Sequence, residues 1–334
     1  MKPIRIAHIG LNRYSHSNEI FYTMAQHPEL FEIVGYTIVE DERETCAEKL
    51  KSLEGYPELT LEEILSDPTI EAVTVETDEI HLNKYAQMAV DAGKHVHMEK
   101  PGSQNLAEFE RLIESARAGG KTFHIGYMYR DNPLGSEAIE RVKQGDFGAI
   151  YSVEAHMSRT DNKTTREWFA SFCGGMMFYL GCHLVDLVLQ IQGMPEKVIP
   201  LNTRTGLDGV DTEDLGFAVL QYPNGISVIR MGGTELGGFA RRQLVICGSK
   251  RTLEIKPLER GAEGGKYMLT TSQVERFRGE DGVVKKLEKT TEPFQRYEAM
   301  MLAFAQMVRG EKENPYTLDY ELELFKLILK CCGM

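Results

Sequence analysis

Over its first 126 residues the chain alternates short apolar runs with amphipathic segments, and this alternation admits few folds. Ile4–Ile9, Phe31–Val39, Glu71–Glu76, His95–Met98 and Thr122–Gly126 read as strands. Between them Asn18–Gln26, Glu42–Leu53, Thr60–Leu65, Ile80–Ala92 and Leu106–Ala118 read as helices, with Tyr85, Met88 and Ala89 on one apolar face of the fourth. His27-Pro28 and Asp67-Pro68 stop two of them, because the residue before a proline is pushed out of the helical region. Strands and helices joined by short loops in this order build a doubly wound parallel sheet, an α/β architecture.

Beyond Gly126 the pattern changes. A helix over Ser136–Lys143 stops at Gln144-Gly145, and Ile150–Ser158 opens a series of β segments that a helical block, Met176–Gln192, interrupts. The series resumes with Phe217–Tyr222, Ile226–Gly232, Arg242–Cys247 and Thr252–Ile255. Asn224-Gly225 sits at the first of these joints as a hairpin turn. Glu298–Val308 and Asp319–Lys330 close the chain as amphipathic helices. The length of 334 residues suits two domains. The expected division is a parallel α/β domain over 1–125 and an α+β domain with an open antiparallel sheet over 126–334.

Composition narrows the partners. A net charge of −12 argues against nucleic acid and against anionic membrane surfaces. No apolar run is long enough for a signal peptide or for the ~20 residues of a membrane span, so a cytoplasmic protein is expected. The six cysteines form no C-x-x-C pair, which points to free thiols in a reducing compartment and to no zinc site.

Three segments carry chemistry. In Ala92-Gly93-Lys94-His95-Val96-His97-Met98-Glu99-Lys100-Pro101, Gly93 closes a helix in the left-handed conformation and the following strand delivers Lys100 at its carboxyl end. Ligands of open parallel sheets bind just there. A lone lysine at a strand end is ordinarily a surface residue, so the other segments decide. After the first strand, Gly10-Leu11-Asn12-Arg13-Tyr14-Ser15 keeps only the first glycine of the dinucleotide turn G-x-G-x-x-G. Asn12 can supply left-handed backbone angles, though its side chain enters space that a phosphate uses. The acid that binds the adenosine ribose should end the second strand, where Ile38 stands, with Glu40 and Asp41 just beyond. In the block from Cys173 to Asp186, Tyr179 and His183 lie four residues apart and share a helix face, with Asp186 placed to orient the imidazole. A Tyr, a His and an Asp at this spacing suit proton transfer better than a plain core histidine does.

Taken in order, these segments resemble the glucose–fructose oxidoreductase / inositol dehydrogenase / rhizopine-catabolism (Gfo/Idh/MocA) family of NAD(P)-dependent oxidoreductases. The likeness also rests on Gly126-Tyr127 with Arg130 and Asn132-Pro133, on Gly145-Asp146-Phe147-Gly148-Ala149-Ile150, on Gly174-Gly175, and on Pro223-Asn224-Gly225. It implies an N-terminal Rossmann domain followed by an α+β domain, assembly into a homodimer or homotetramer, and NAD or NADP as cofactor. By family position Gly10, Leu11, Asn12, Thr77, Glu99 and Lys100 attend the cofactor. Lys100 lies near the nicotinamide and the substrate hydroxyl, and His183 is the acid/base. Tyr179 replaces a family aspartate and either shares the proton relay, binds substrate or packs. Tyr127, Arg130 and Trp168 are candidates for substrate contact, Arg130 with a structural ion pair as its alternative and Trp168 with core packing. His81 and His97 read as structural, and no metal is expected. The implied reaction is oxidation of a secondary alcohol on a sugar, cyclitol or related polyol. The departures at Asn12, Ser15, Ile38 and Tyr179 motivate a second reading, a non-catalytic ligand-binding or regulatory protein on the same fold with a degraded cofactor site.

Overall fold

The computed structural model describes residues 2–263 and 268–334. The chain divides into two compact units. One runs to Tyr127 and takes in Tyr297–Glu323; the other is Met128–Arg296 with Leu324–Met334. The first break thus lies two residues past 125, and most of the C-terminal helical region groups with the first unit.

In the first unit the elements are β1 (Ile4–Ile9), α1 (Ser17–Ala25), β2 (Phe31–Thr37), α2 (Glu42–Thr45), α3 (Ala47–Leu50), α4 (Leu61–Ser66), β3 (Ala72–Val75), α5 (Leu82–Asp91), β4 (His95–Met98), α6 (Leu106–Gly119) and β5 (Phe123–Ile125). The five strands pair in parallel in the order β2-β1-β3-β4-β5. All four residues of β3 are buried, as a strand covered on both faces requires. Caps fix the helix starts: Thr60 and Glu63 form a capping box on α4, and the Asn105 side chain accepts the Ala107 and Glu108 amides of α6. The helix expected over Glu42–Leu53 is broken. Cys46 leaves helical angles (φ −118°, ψ 21°) and its thiol donates to the Leu11 carbonyl at 3.3 Å, so a tertiary contact wins over local periodicity. A later helix, Glu298–Val308, belongs to this unit, and its Phe304 ring lies 5.8 Å from His124 and 5.6 Å from His97.

The second unit holds α7 (Pro133–Lys143), β6 (Ile150–Ser158), α8 (Lys163–Trp168), α9 (Cys182–Gln192), β7 (Lys197–Pro200), β8 (Leu215–Tyr222), β9 (Gly225–Gly232), β10 (Gln243–Gly248), β11 (Arg251–Ile255), β12 (Arg260–Gly261), β13 (Met268–Thr270), β14 (Ser272–Arg278), β15 (Val284–Thr290) and β16 (Phe294–Gln295). Eight of these strands form one sheet, β15-β14-β11-β10-β6-β9-β8-β7, and β12-β13-β16 form a small separate one. The large sheet is mixed rather than wholly antiparallel, because β6 and β9 pair in parallel at its centre. One face buries Val153, Ala155, Ile229, Met231, Leu244 and Ile246, and α9 packs against β6 and β9. The expected hairpin forms with Tyr222 paired to Gly225, which leaves Pro223-Asn224 as its loop. Gly225 is required for space: a Cβ there would lie 2.1 Å from the Tyr151 carbonyl oxygen. The block expected as one helix opens with a π-helical turn, Met177–Gly181, before α9. Such turns recur at functional sites. The chain ends in two helices, α10 (Glu298–Val308) and α11 (Leu318–Cys331). Among the described residues no helix is long and apolar enough to cross a membrane.

Candidate functional site

In the order β2-β1-β3-β4-β5 the chain reverses direction of winding between β1 and β3, and a crevice opens at the carboxyl ends of those two strands. Gly10 leaves β1 with φ +84°, and a Cβ there would sit 2.8 Å from the Thr77 Cβ. Only glycine lets the turn pass this close to Thr77, two residues beyond β3. Asn12 does not take the left-handed backbone expected of it; among the described residues only Glu40 and Asp208 do so without being glycine. Asn12 serves the turn through its fully buried side chain instead. Its Oδ1 accepts the amides of Tyr14 (2.8 Å) and Ser15 (3.0 Å), while its Nδ2 donates to the Thr77 carbonyl (3.2 Å) and Glu79 Oε2 (2.6 Å). The Asn12 amide donates to Ser17 Oγ at 3.2 Å, and Lys49 Nζ caps the Asn12 and Ser15 carbonyls at 2.6 and 2.5 Å.

The Leu11 amide also has a partner within the chain. Glu42, buried at the start of α2, reaches back so that its Oε2 accepts Leu11 N–H (2.9 Å) and Val39 N–H (3.2 Å), while Thr77 Oγ1 donates to its Oε1. Burial, which disfavours the charged form, is the largest influence on this carboxyl and pushes it up to about 7. β2 ends at Thr37, Ile38 just beyond it brings no carboxylate, and Glu40 accepts from Lys84 and from the Tyr85 hydroxyl. Arg43 pairs with Glu58. A cavity of about 320 Å³ lies beside the turn, lined by Arg13 and by Glu44–Lys49.

Lys100 occupies the carboxyl end of β4, buried to 5% exposure, with Nζ 3.4 Å from Glu99 Oε1 and 3.7 Å from Glu79 Oε1. Burial raises the Glu99 carboxyl above its ordinary range and the Lys100 ammonium pulls it back. Glu79 is raised to about 7, again by burial first and against the pull of Lys100. Glu76, fully buried, is raised well above its ordinary range, by burial first and then by the charge of Glu99. His97 lies 3.5 Å from Glu76 and shares a 2.8 Å hydrogen bond with His124; burial lowers it to about 3, which leaves a neutral structural imidazole. The sequence reading missed Glu42, Glu76, Glu79 and Lys49 as site residues. A signal for two of them existed: glutamates directly after the buried strand Ala72–Val75 cannot reach solvent easily. Lys94 belongs to the frame, donating to the carbonyls of Asp67 and Ile70. Tyr127 is buried just after β5.

In the second unit His183 stands in the first turn of α9, buried, with the ring of Tyr129 edge-on at 5.0 Å. The Tyr129 hydroxyl donates to Glu259 (2.7 Å) and accepts from Arg242 (2.8 Å), and Arg296 also binds Glu259. This network was not legible in the sequence, because Tyr129 lies 113 residues from Arg242 and 130 from Glu259. Asp186 accepts two hydrogen bonds from Arg130, at 3.0 and 2.9 Å, and one from Gln190 at 2.9 Å. Arg130 therefore forms the ion pair held open as its alternative. Tyr179 lies in the π-helical turn among aromatic rings, 5.0 Å from Trp168, 5.4 Å from Phe169 and 6.1 Å from Phe172, and Arg159 donates to its hydroxyl at 3.4 Å. Trp168 thus joins an aromatic cluster. Among the described residues no group of three or more His, Cys, Asp or Glu is placed to hold a metal ion.

This geometry has known counterparts. The model of an oxidoreductase family with an NAD-binding Rossmann fold matches residues 4–127, and that of a GFO/IDH/MocA C-terminal domain matches residues 136–254. A D-xylose 1-dehydrogenase (NADP(+)) of Haloferax volcanii is 30% identical over 49% of this chain and 50% of its own. A scyllo-inositol 2-dehydrogenase (NADP(+)) of Bacillus subtilis is 28% identical over 52% and 49%. The chain spans about half the length of these two relatives. A levoglucosan dehydrogenase solved with NADH and levoglucosan shares the fold at TM-score 0.78 and 16% identity, over 99% of this chain and 97% of that one.

Proposed function

The chain belongs to the GFO/IDH/MocA family of oxidoreductases, and we propose that it is a nicotinamide-dependent dehydrogenase or reductase acting on a secondary alcohol of a sugar, cyclitol or related polyol. The observation that carries this reading is Lys100: a buried ammonium held between two carboxylates at the carboxyl end of β4. The names of the relatives, a xylose and an inositol dehydrogenase, support the substrate class. The switch point beside Gly10 and Thr77 suits a dinucleotide, although the Leu11, Asn12, Tyr14 and Ser15 amides are held by the protein's own side chains. A nicotinamide, when bound, takes or returns the hydride.

The rest falls to this chain's residues. Lys100 polarises the hydroxyl oxygen and stabilises the alkoxide character that develops there. His183 takes the hydroxyl proton. Glu79 and Glu99 fix the ammonium and keep its charge local. Assembly as a homo-oligomer is supported by the open face of the large sheet, where half-buried Val219, Val228 and Val245 lie in register with Glu154. Incubating the purified protein with NAD⁺ or NADP⁺ and a panel of sugars and cyclitols, and following reduced nicotinamide by absorbance, tests the reading. Lys100→Ala should cost about 10²–10³-fold in turnover on any substrate found. Full activity in that variant refutes the role.

A further inference from the structure

The self-satisfied turn carries an inference about Glu42. In a dinucleotide fold the turn after β1 binds phosphate through backbone N–H groups. Here the Leu11 N–H points at a carboxylate of the same chain. A carboxylate has about four lone-pair positions. Those of Glu42 face Leu11 N–H, Val39 N–H, the Thr77 hydroxyl and the backbone amide of Asp78. It is saturated, so it has no acceptor to offer a ribose hydroxyl, and it holds a donor that a phosphate oxygen would use. The Asn12, Tyr14 and Ser15 amides are taken by Ser17 Oγ and Asn12 Oδ1, which are neutral and can yield without a charge penalty. Glu42 differs because an ionised carboxylate beside a diphosphate adds like-charge repulsion in a poorly solvated place.

We infer that Glu42 is an internal anion standing on the phosphate-binding turn, so that a nicotinamide dinucleotide and the Glu42 carboxylate compete for the Leu11 amide. The proposal rests on the dinucleotide reading above. Glu42 packs among the residue after β1, the loop after β2 and the residues after β3. The titratable groups facing it are Cys46 from its own segment and Asp78, which presents its backbone amide. Among the described residues no cation is hydrogen-bonded to it. Burial already raises this carboxyl to about 7, so neutralising it lies within reach of ordinary pH. The protein should therefore bind dinucleotide more tightly as pH falls.

The test is NADH binding to the whole chain by fluorescence or calorimetry at pH 8 and pH 6, in wild type and Glu42→Gln. NADH is the probe because its pyrophosphate keeps its charge over this range. Glutamine keeps the shape and removes the charge. At pH 8 the variant should bind roughly tenfold more tightly, the equivalent of about 1.4 kcal/mol, and the gap should close at pH 6. Equal affinities at both pH values overturn the proposal and leave the dehydrogenase reading standing. Weaker binding by Glu42→Gln overturns it too, because Glu42 would then be a ligand of the nucleotide. If neither protein binds NADH at millimolar concentration, both readings fall. Should the variant not fold, the wild type suffices: affinity that does not tighten between pH 8 and pH 6 overturns the proposal.

Discussion

The pair Arg130–Asp186 decides whether Arg130 is structural, and its energetics can be worked from the geometry. Both side chains are almost wholly buried, at 2% and 1% exposure, and the guanidinium meets the carboxylate through two hydrogen bonds. Asp186→Ala leaves a buried cation facing a void and strips Gln190 of its acceptor. Breaking a buried pair from one side costs about 3–5 kcal/mol. With a urea dependence of about 2 kcal/mol per molar, the midpoint should fall by about 1.5–2.5 M. The chain's single tryptophan, Trp168, lies in the same unit as the pair, so its fluorescence reports the right transition. Replacing both partners with apolar residues, Arg130→Met with Asp186→Leu, should recover most of the loss, because no unpaired charge is left behind. A cost below about 1 kcal/mol for the single variant refutes the reasoning. So does a double variant as unstable as the single one. A stable double variant that retained full polyol oxidation would also remove Arg130 from the substrate contacts.

Two further outcomes follow from the first unit. Glu79 titrates at about 7 in the folded chain against 4.5 ordinarily, so the native state holds an extra proton between those values and stability falls as pH rises through that window. The group's share is of the order of 3 kcal/mol. Urea unfolding followed by circular dichroism from pH 5 to 8 should show the decline, and Glu79→Gln should lessen it by that share, with Glu42 and the other raised carboxyls keeping the rest; an unchanged slope in the variant contradicts the assignment. Gly10→Ala forces an alanine to φ +84° with its Cβ against Thr77, and should cost about 2 kcal/mol or more in the same assay. A loss under ~0.5 kcal/mol would mean that the turn relaxes freely.

Much of the frame was legible because its signals are local. Strand β1 and helix α10 fall at the expected bounds, Gly93 closes α5 in the left-handed region, and Gly225 starts β9. The errors share one cause. The Glu42–Leu53 helix broke because Cys46 and Glu42 turn toward Leu11, more than thirty residues away in sequence. The helical block before α9 opened as a π-helical turn. There a Cβ on Gly181 would lie 2.8 Å from Met231 of β9, a neighbour that local periodicity cannot reveal. Lys100 was found because a motif and a strand end coincide. Glu99 beside it was named with it, whereas Glu79 was missed because nothing in a run such as Glu76-Thr77-Asp78-Glu79 says which acid turns inward.

The sequence by itself determined the order of strands and helices, the glycine turns and the placement of Lys100 and His183, since periodicity and backbone preference act over a few residues. Only the tertiary structure decided which charges are buried together. Glu42 on the Leu11 amide, Glu79 beside Lys100, and Asp186 on Arg130 are pairings across long stretches of chain. Their strength comes from the exclusion of water, a property of the packed molecule that no short segment possesses.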